Sequence, residues 1–181
     1  MFKKILVALD LSSTSQAVFQ QALAMATAMN AKLMLLHVLS GEDQGTPALG
    51  GMAGIGYYYG SLELETLKHY QERWQTYIDH SLEQLKSLAQ TASDAGVIAE
   101  FTQTPGKPGQ TICTQAKNWQ ADLILVGRRG HSGWSELFLG SVSNYVIHHA
   151  PGSVLVIQSA VNQKGKVEPD LNHSKSAEAM A

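Results

Sequence analysis

The sequence predicts one α/β domain built on a parallel sheet, and three observations carry that prediction. Short, continuous apolar runs such as Ile5–Leu9 recur along the chain. Runs of this kind mark strands buried on both faces, as parallel sheets require. Stretches with helical periodicity lie between them, so the elements alternate β-α-β-α-β-α-β-α-β, the order that gives a sheet with helices on both faces. The chain's 181 residues are 44% apolar and 15% charged, which suits one domain with a real core and excludes a wholly disordered chain. Right-handed crossovers then fix most of the topology, and ligands of such sheets bind past the carboxyl ends of the strands, where strand order reverses.

The elements follow in order. Ile5–Leu9 is the first strand and ends in Asp10 and a Ser/Thr cluster, Ser12–Ser15, that offers helix N-caps. An Ala-rich helix with Ala17, Val18, Leu23, Ala26 and Met29 on its apolar side runs to Asn30, a residue suited to a helix end. Lys32–Leu39 is the second strand. Residues 41–60 interleave glycines with Tyr57, Tyr58 and Tyr59 and read as a mobile surface loop. A long helix from Leu62 to Ala92 carries Leu64, Leu67, Tyr70, Trp74, Ile78, Leu82, Leu85 and Leu88 at steps of three and four, one apolar stripe that Gly96 ends. Val97–Gln103 is the third strand.

The turn Pro105–Gly109 leads into a helix through Ile112, Ala116 and Trp119, with Pro108 in the first turn, where its missing N–H costs nothing. Asp122–Val126 is the fourth strand, a Gly-rich loop spans Gly127–Gly140, Ser141–His149 is a helix and Ser153–Gln158 is the fifth strand. The domain is expected to cover 1–159. Residues 160–181 are polar and read as a disordered tail.

Charge and cysteine content exclude several classes of function. The net charge is −2, which gives no general pull toward nucleic acid or an anionic membrane. The single Cys113 forbids an intrachain disulfide and fits a reducing compartment. No apolar run reaches the roughly 18 residues of a membrane span. Met1–Asp10 places charge before a short apolar run but has no small-residue cleavage site, so a cytoplasmic protein is expected.

The stretch Gly127–Ser143 carries the chemistry. It starts at the end of a strand and finishes at a helix N-terminus, whose free N–H groups and positive dipole end favour an anion. Gly127 and Gly130 would let the backbone turn sharply and approach a ligand. Ser141 and Ser143 add hydroxyls, and Arg128 and Arg129 add positive charge. Together these parts describe a phosphate cradle. A loop that only turns the chain, with Ser141 as a helix cap, is the alternative. Neither a Walker loop nor the dinucleotide fingerprint is present. Asp10, at the end of a buried strand, is either a cap or a ligand group. His37 reads as a satisfied core histidine and Cys113 as a packed, inert thiol. Trp74 and Trp119 read as core. His131, His148 and His149 read as solvent-facing or helix-terminal, because adjacent helical residues point about 100° apart and do not share an ion easily.

The spacing Gly127-x2-Gly130-x9-Gly140-Ser141 resembles the ATP-binding motif of the universal stress protein family. Ile5–Ser12 resembles the family's opening strand and Asp-x-Ser turn. Leu35–Val38, Gly106–Pro108 with Ile112, Asp122–Gly127 and Pro151–Ile157 resemble later signatures in order. The resemblance implies a five-stranded parallel sheet of order 3-2-1-4-5, Rossmann-like and akin to the adenine nucleotide alpha hydrolase fold. It also implies ATP, or another adenine nucleotide such as AMP, ADP or a cyclic nucleotide, with Mg²⁺. Carried over residue by residue, Asp10 would meet the ribose or a Mg²⁺, and Val38 the adenine through its backbone. Gly127, Arg129 and Gly130 would line ribose and phosphates, and Gly140, Ser141, Val142 and Ser143 would hold the phosphates. Leu9 and Val126 complete the implied set. Valine at Gly127 or Gly140 is expected to block nucleotide without unfolding the chain.

No nucleophile paired with a base is visible near the loop, so the resemblance implies a nucleotide-dependent sensor or regulator in stress response, with at most slow ATP hydrolysis. It also implies a homodimer through the last strand, Val154–Ile157. The rival readings are a protein-interaction module that needs no nucleotide and an adenylyl-transferring enzyme, whose motifs the sequence lacks.

Overall fold

A computed structural model describes residues 1–41, 46–47, 60–128 and 139–158. The elements are β1 (Lys4–Leu9), α1 (Ser13–Met29), β2 (Lys32–Leu39), α2 (Gly60–Asp94), β3 (Ala99–Pro105), α3 (Pro108–Trp119), β4 (Leu123–Gly127), α4 (Ser141–His149) and β5 (Ser153–Ile157). All pairings are parallel and the strand order is β3-β2-β1-β4-β5, as the resemblance implies.

The apolar runs explain the central strands. Ile5, Leu6 and Val7 of β1, Leu35 and Leu36 of β2 and Ile124 and Leu125 of β4 are fully buried, because helices cover both faces of the sheet. One core joins Ile5, Val7, Leu33, Leu35 and Leu125 to Phe19 and Ala22 of α1 and Leu85 and Ala92 of α2. The other joins Leu6, Leu36, Val38, Ile124 and Val126 to Ile112 of α3 and Val146 of α4. Thus α1 and α2 share one face and α3 and α4 the other. No helix among the described residues is long and apolar enough to cross a membrane.

Three expectations need correction. The third strand is not 97–103 but starts two residues later: the Val97 amide still closes the end of α2 on the Ala92 carbonyl (2.9 Å). β3 instead runs on to Pro105, which pairs with Leu39. The fourth strand starts after Asp122, whose carboxylate accepts the backbone amides of Lys3 (2.8 Å) and Lys4 (3.1 Å) and so ties down the start of β1. The stripe on α2 is not core throughout. Tyr77, Ser81, Leu85, Ala89 and Ala92 are buried, whereas Leu67 is 39% exposed and Trp74 is only half-buried. Trp74 therefore stacks between Tyr70 and Tyr77 on the helix surface instead of entering the core.

Trp119 packs at the margin of the α3/α4 core and lies beneath the Lys4 ammonium (5.3 Å). His37 is a satisfied core histidine, 2% exposed, with Tyr77 and Gln103 on its two ring nitrogens. His148 and His149 are exposed, and His149 stacks on Tyr145 (4.0 Å) at the end of α4. Cys113 is half-buried against the α3/α4 core, and burial pushes its thiol up. The loop 41–60 falls almost wholly outside the described residues, as do His131 and the tail 160–181.

Candidate functional site

The sheet makes its own crevice. β1 and β4 pair only through Ile5↔Leu123, Leu6↔Ile124 and Val7↔Leu125, after which the two strands part. The chain leaves β1 toward α1 on one face and β4 toward α4 on the other, so no helix fills the gap. β2 continues two residues past the end of its ladder with β1, because Leu9 pairs with His37 and leaves Val38 and Leu39 beyond.

A cleft of about 90 Å³ occupies this switch point. Its apolar part is formed by Leu36, Val38, Pro108, Ile112 and Val126. Its polar part is formed by Thr14 at the start of α1, Gly127 at the end of β4, and Gly140, Ser141 and Ser143 at the start of α4. Asp10 lies in the same lining, as do Leu9 and Val142. Sequence separations of more than a hundred residues thus close into one cavity. Arg129 and Gly130 lie outside the described residues.

The start of α4 leaves its first backbone amides outside the helical ladder. Gly140 (φ −58°, ψ 154°) is the N-cap and offers no capping side chain. The Asn144 amide makes the first bond of the helix, to the Gly140 carbonyl (2.9 Å), so the amides of residues 141–143 precede the helical ladder. The side chains are more committed than the sequence implies. Ser143 is buried, and its hydroxyl donates to the Gly127 carbonyl (2.8 Å), so its one hydrogen holds α4 to β4. Ser141 is exposed.

Asp10 holds a turn. Its Oδ1 accepts from the Ser12 amide (2.9 Å), the Ser15 hydroxyl (2.7 Å) and the Ser12 hydroxyl, while its own amide donates to the Ser15 Oγ (2.8 Å). Asp10 therefore sits in the cleft lining without capping α1, because its bonds go to the N-cap residue and to hydroxyls and not to the amides of the first helical turn. The Ser12–Ser15 cluster matters mainly as partners of this carboxylate, since the N-cap Ser12 makes no side-chain bond to its helix. Among the described residues no three His, Cys, Asp or Glu side chains gather as a metal site.

Two local readings change. Gly127 does not have a left-handed backbone; among the described glycines Gly96 and Gly106 do. A Cβ on Gly127 would meet the Thr14 methyl at 3.0 Å and Val18 at 3.2 Å, so this glycine makes room for α1. Arg128 turns away from the cleft: its guanidinium donates to the Gln158 Oε1 (3.0 Å) beyond β5. Sequence reasoning missed Thr14, Ala8, Leu36, Pro108 and Ile112 as lining residues. Pro108 and Ile112 had a signal in the Gly106–Pro108 turn, whereas Leu36 and Ala8 had none beyond being strand residues.

A cleft at the switch point of a five-stranded parallel sheet, apolar at one end and bounded by a helix N-terminus at the other, is where open α/β sheets place their ligand sites. The family model of the universal stress protein family matches residues 1–158, and the chain belongs to that family. Universal stress protein Sll1388 of Synechocystis sp. is 40% identical over 160 residues, spanning 87% of this chain and 98% of that protein. Universal stress protein UspA from Lactobacillus plantarum superposes with a TM-score of 0.64 at 26% identity, covering 86% of this chain and 97% of its own. Two further family structures share the fold at lower identity. One, in complex with cAMP, has a TM-score of 0.54 at 22% identity over 87% of this chain and 97% of its own. The other, from Archaeoglobus fulgidus in complex with dAMP, has a TM-score of 0.55 at 18% identity over 86% and 98%.

Proposed function

We propose that this chain binds an adenine nucleotide in the β1/β4 cleft, ATP with Mg²⁺ in the first place, and acts as a nucleotide-dependent regulator in stress response. The observation that carries the reading is the convergence of an apolar wall, Asp10 and the open start of α4 on one cavity. The base would lie against Val38 and Ile112, the ribose or a Mg²⁺ at Asp10, and the phosphates on the amides of residues 141–143, with Gly127, Arg129 and Gly130 beside them. The cAMP and dAMP found in relatives of this fold support the adenine class. Slow hydrolysis would need only the positioning of phosphate and metal.

Leu9 and Val126 would supply backbone to the same ligand. The regulator would work as a homodimer through β5, an edge strand whose Val154–Ile157 side chains are half-buried in one copy. One observation favours the rival interaction module. Ser143 and Oδ1 of Asp10 already have partners inside the protein, as purely structural groups would.

The deciding experiment denatures protein purified from the cell and identifies released nucleotide by mass spectrometry, with calorimetry against Mg-ATP in parallel. An adenine nucleotide in the release, or heat on titration, is expected. No nucleotide, no heat and no thermal shift would leave the interaction module standing.

A further inference from the structure

We infer that α2 is the element through which the cleft is read, and that the buried His37–Tyr77–Gln103–Ser81 cluster couples nucleotide occupancy to the arm of α2 beyond the sheet. The inference rests on the nucleotide reading above and adds the route by which the state of the site reaches the surface.

The length of α2 creates the arm. Its 35 residues span about 52 Å at 1.5 Å per residue. β2, on which it packs, has 8 residues and is about 26 Å long. Among the described side chains of α2, those buried fall between Tyr77 and Ala92. From 65 to 76 none is buried, so this arm stands clear of the sheet. The arm, residues 60–76, is about 17 residues of helix with no buried side chain among those described, little beyond the length at which an isolated helix is marginal in water, and it persists as a continuation of the docked half. The coupling would act on the equilibrium between this helical arm and its frayed form.

A chain of rings joins the arm to the core. Tyr70 stacks on Trp74 (6.4 Å), Trp74 on Tyr77 (5.6 Å), and Tyr77 lies against His37 (5.9 Å). Hydrogen bonds fix its inner end. Nε2 of His37 meets the Tyr77 hydroxyl (3.3 Å), and Nδ1 meets the Gln103 amide (3.2 Å). Gln103 also donates to the Ser81 hydroxyl, and Ser81 donates back to the Tyr77 carbonyl (2.8 Å). The cluster thus ties α2 to β2 and β3 at the point where the arm begins.

The cluster also borders the cleft. His37 pairs with Leu9 across the β1/β2 ladder. Leu9 and Asp10 line the cleft, and both also line a small cavity of about 10 Å³ whose other walls include His37, Ser81 and Gln84. One side of the Leu9–Asp10 wall therefore meets the nucleotide and the other side meets the docked half of α2. A ligand that holds this wall still favours the ordered cluster, and the ordered cluster favours the helical arm. Reciprocity follows: whatever grips the arm raises nucleotide affinity by the same factor.

Hydrogen exchange of the full chain, read by mass spectrometry with and without Mg-ATP or cAMP, tests the coupling, with binding measured separately by calorimetry. The expected result is that a ligand that binds slows exchange in residues 65–76 by about fivefold or more. Tyr77→Phe keeps the ring and removes one hydroxyl outside the cleft. It is expected to bind nucleotide within about fivefold of the parent affinity, the size of the coupling itself, and to lose the slowing. Gln103→Leu should do the same from the other side of His37. A merely structural role would speed exchange equally with and without ligand, leaving their ratio unchanged, and that result overturns the coupling. So does heat of binding with no change in 65–76, or slowing that persists in Tyr77→Phe. If neither ligand gives heat, the nucleotide reading fails and the coupling falls with it.

Discussion

Gly127→Val and Gly140→Val are expected to fail in different ways, although both glycines border the same cleft. The Gly127 side chain would grow into Thr14 and Val18. That overpacking should cost about 1–3 kcal/mol, visible as a lower urea midpoint. Gly140 has φ −58° and ψ 154°, a conformation open to a β-branched residue. Its valine should leave the midpoint nearly unchanged and weaken nucleotide at least about tenfold, the loss of roughly 1.4 kcal/mol. Both variants are still expected to fold, but only Gly127→Val should lose stability, because sequence does not show which way a missing Cβ would point.

Ser143→Ala should cost about 1 kcal/mol of stability, since it leaves the Gly127 carbonyl short of a donor. Cys113 has a pH signature. Burial raises its thiol from 9.0, so the folded state holds the proton longer than the unfolded chain. Its contribution to stability is whole below pH 9 and declines as pH rises through the folded value. Alkylation at pH 8–9 should therefore be slower in native than in urea-unfolded protein.

At the scale of elements, α2 divides into a docked half and an arm, and substitutions should report the division. Leu85 is 2% exposed against the sheet, and Leu85→Ala should cost about 2–5 kcal/mol. Trp74→Ala should cost about 1 kcal/mol or less in chemical denaturation, because it removes stacking but no core. The α3/α4 pair has its own constraint. A Cβ on Gly109 would lie 2.8 Å from the Tyr145 ring, so Gly109→Ala should loosen the α3 N-terminus that carries Pro108 into the cleft. The ladder of apolar residues at steps of three and four identified α2 as a helix. It could not say where the sheet beneath it ends, because periodicity reports which side of a helix is apolar and not whether anything lies against that side.

At the scale of the molecule, the proposed dimer would rest on an edge strand. β5 is expected to pair with its copy across a two-fold axis, and sedimentation at micromolar concentration should give a dimer. Val156→Pro, which removes an edge donor, should shift it toward monomer. A stable monomer in the parent chain would remove the proposed interface.

The alternation of elements and a crevice past the strand ends were legible in the residues themselves, while the strand order and the places of Asp10 and Val38 beside Gly127 and Gly140 came with the family resemblance. Buried parallel strands announce themselves as unbroken apolar runs, and their crossovers have one hand. Only the tertiary structure decided what those residues do within the crevice: Ser143 and Asp10 already hydrogen-bonded inside the protein, Gly127 yielding space to α1, Arg128 turned toward Gln158. It alone also joined His37 to Tyr77 and Gln103. The physical reason is range. Periodicity and turn chemistry act between near neighbours in the chain, whereas a side chain's partner is chosen by whatever the fold brings beside it.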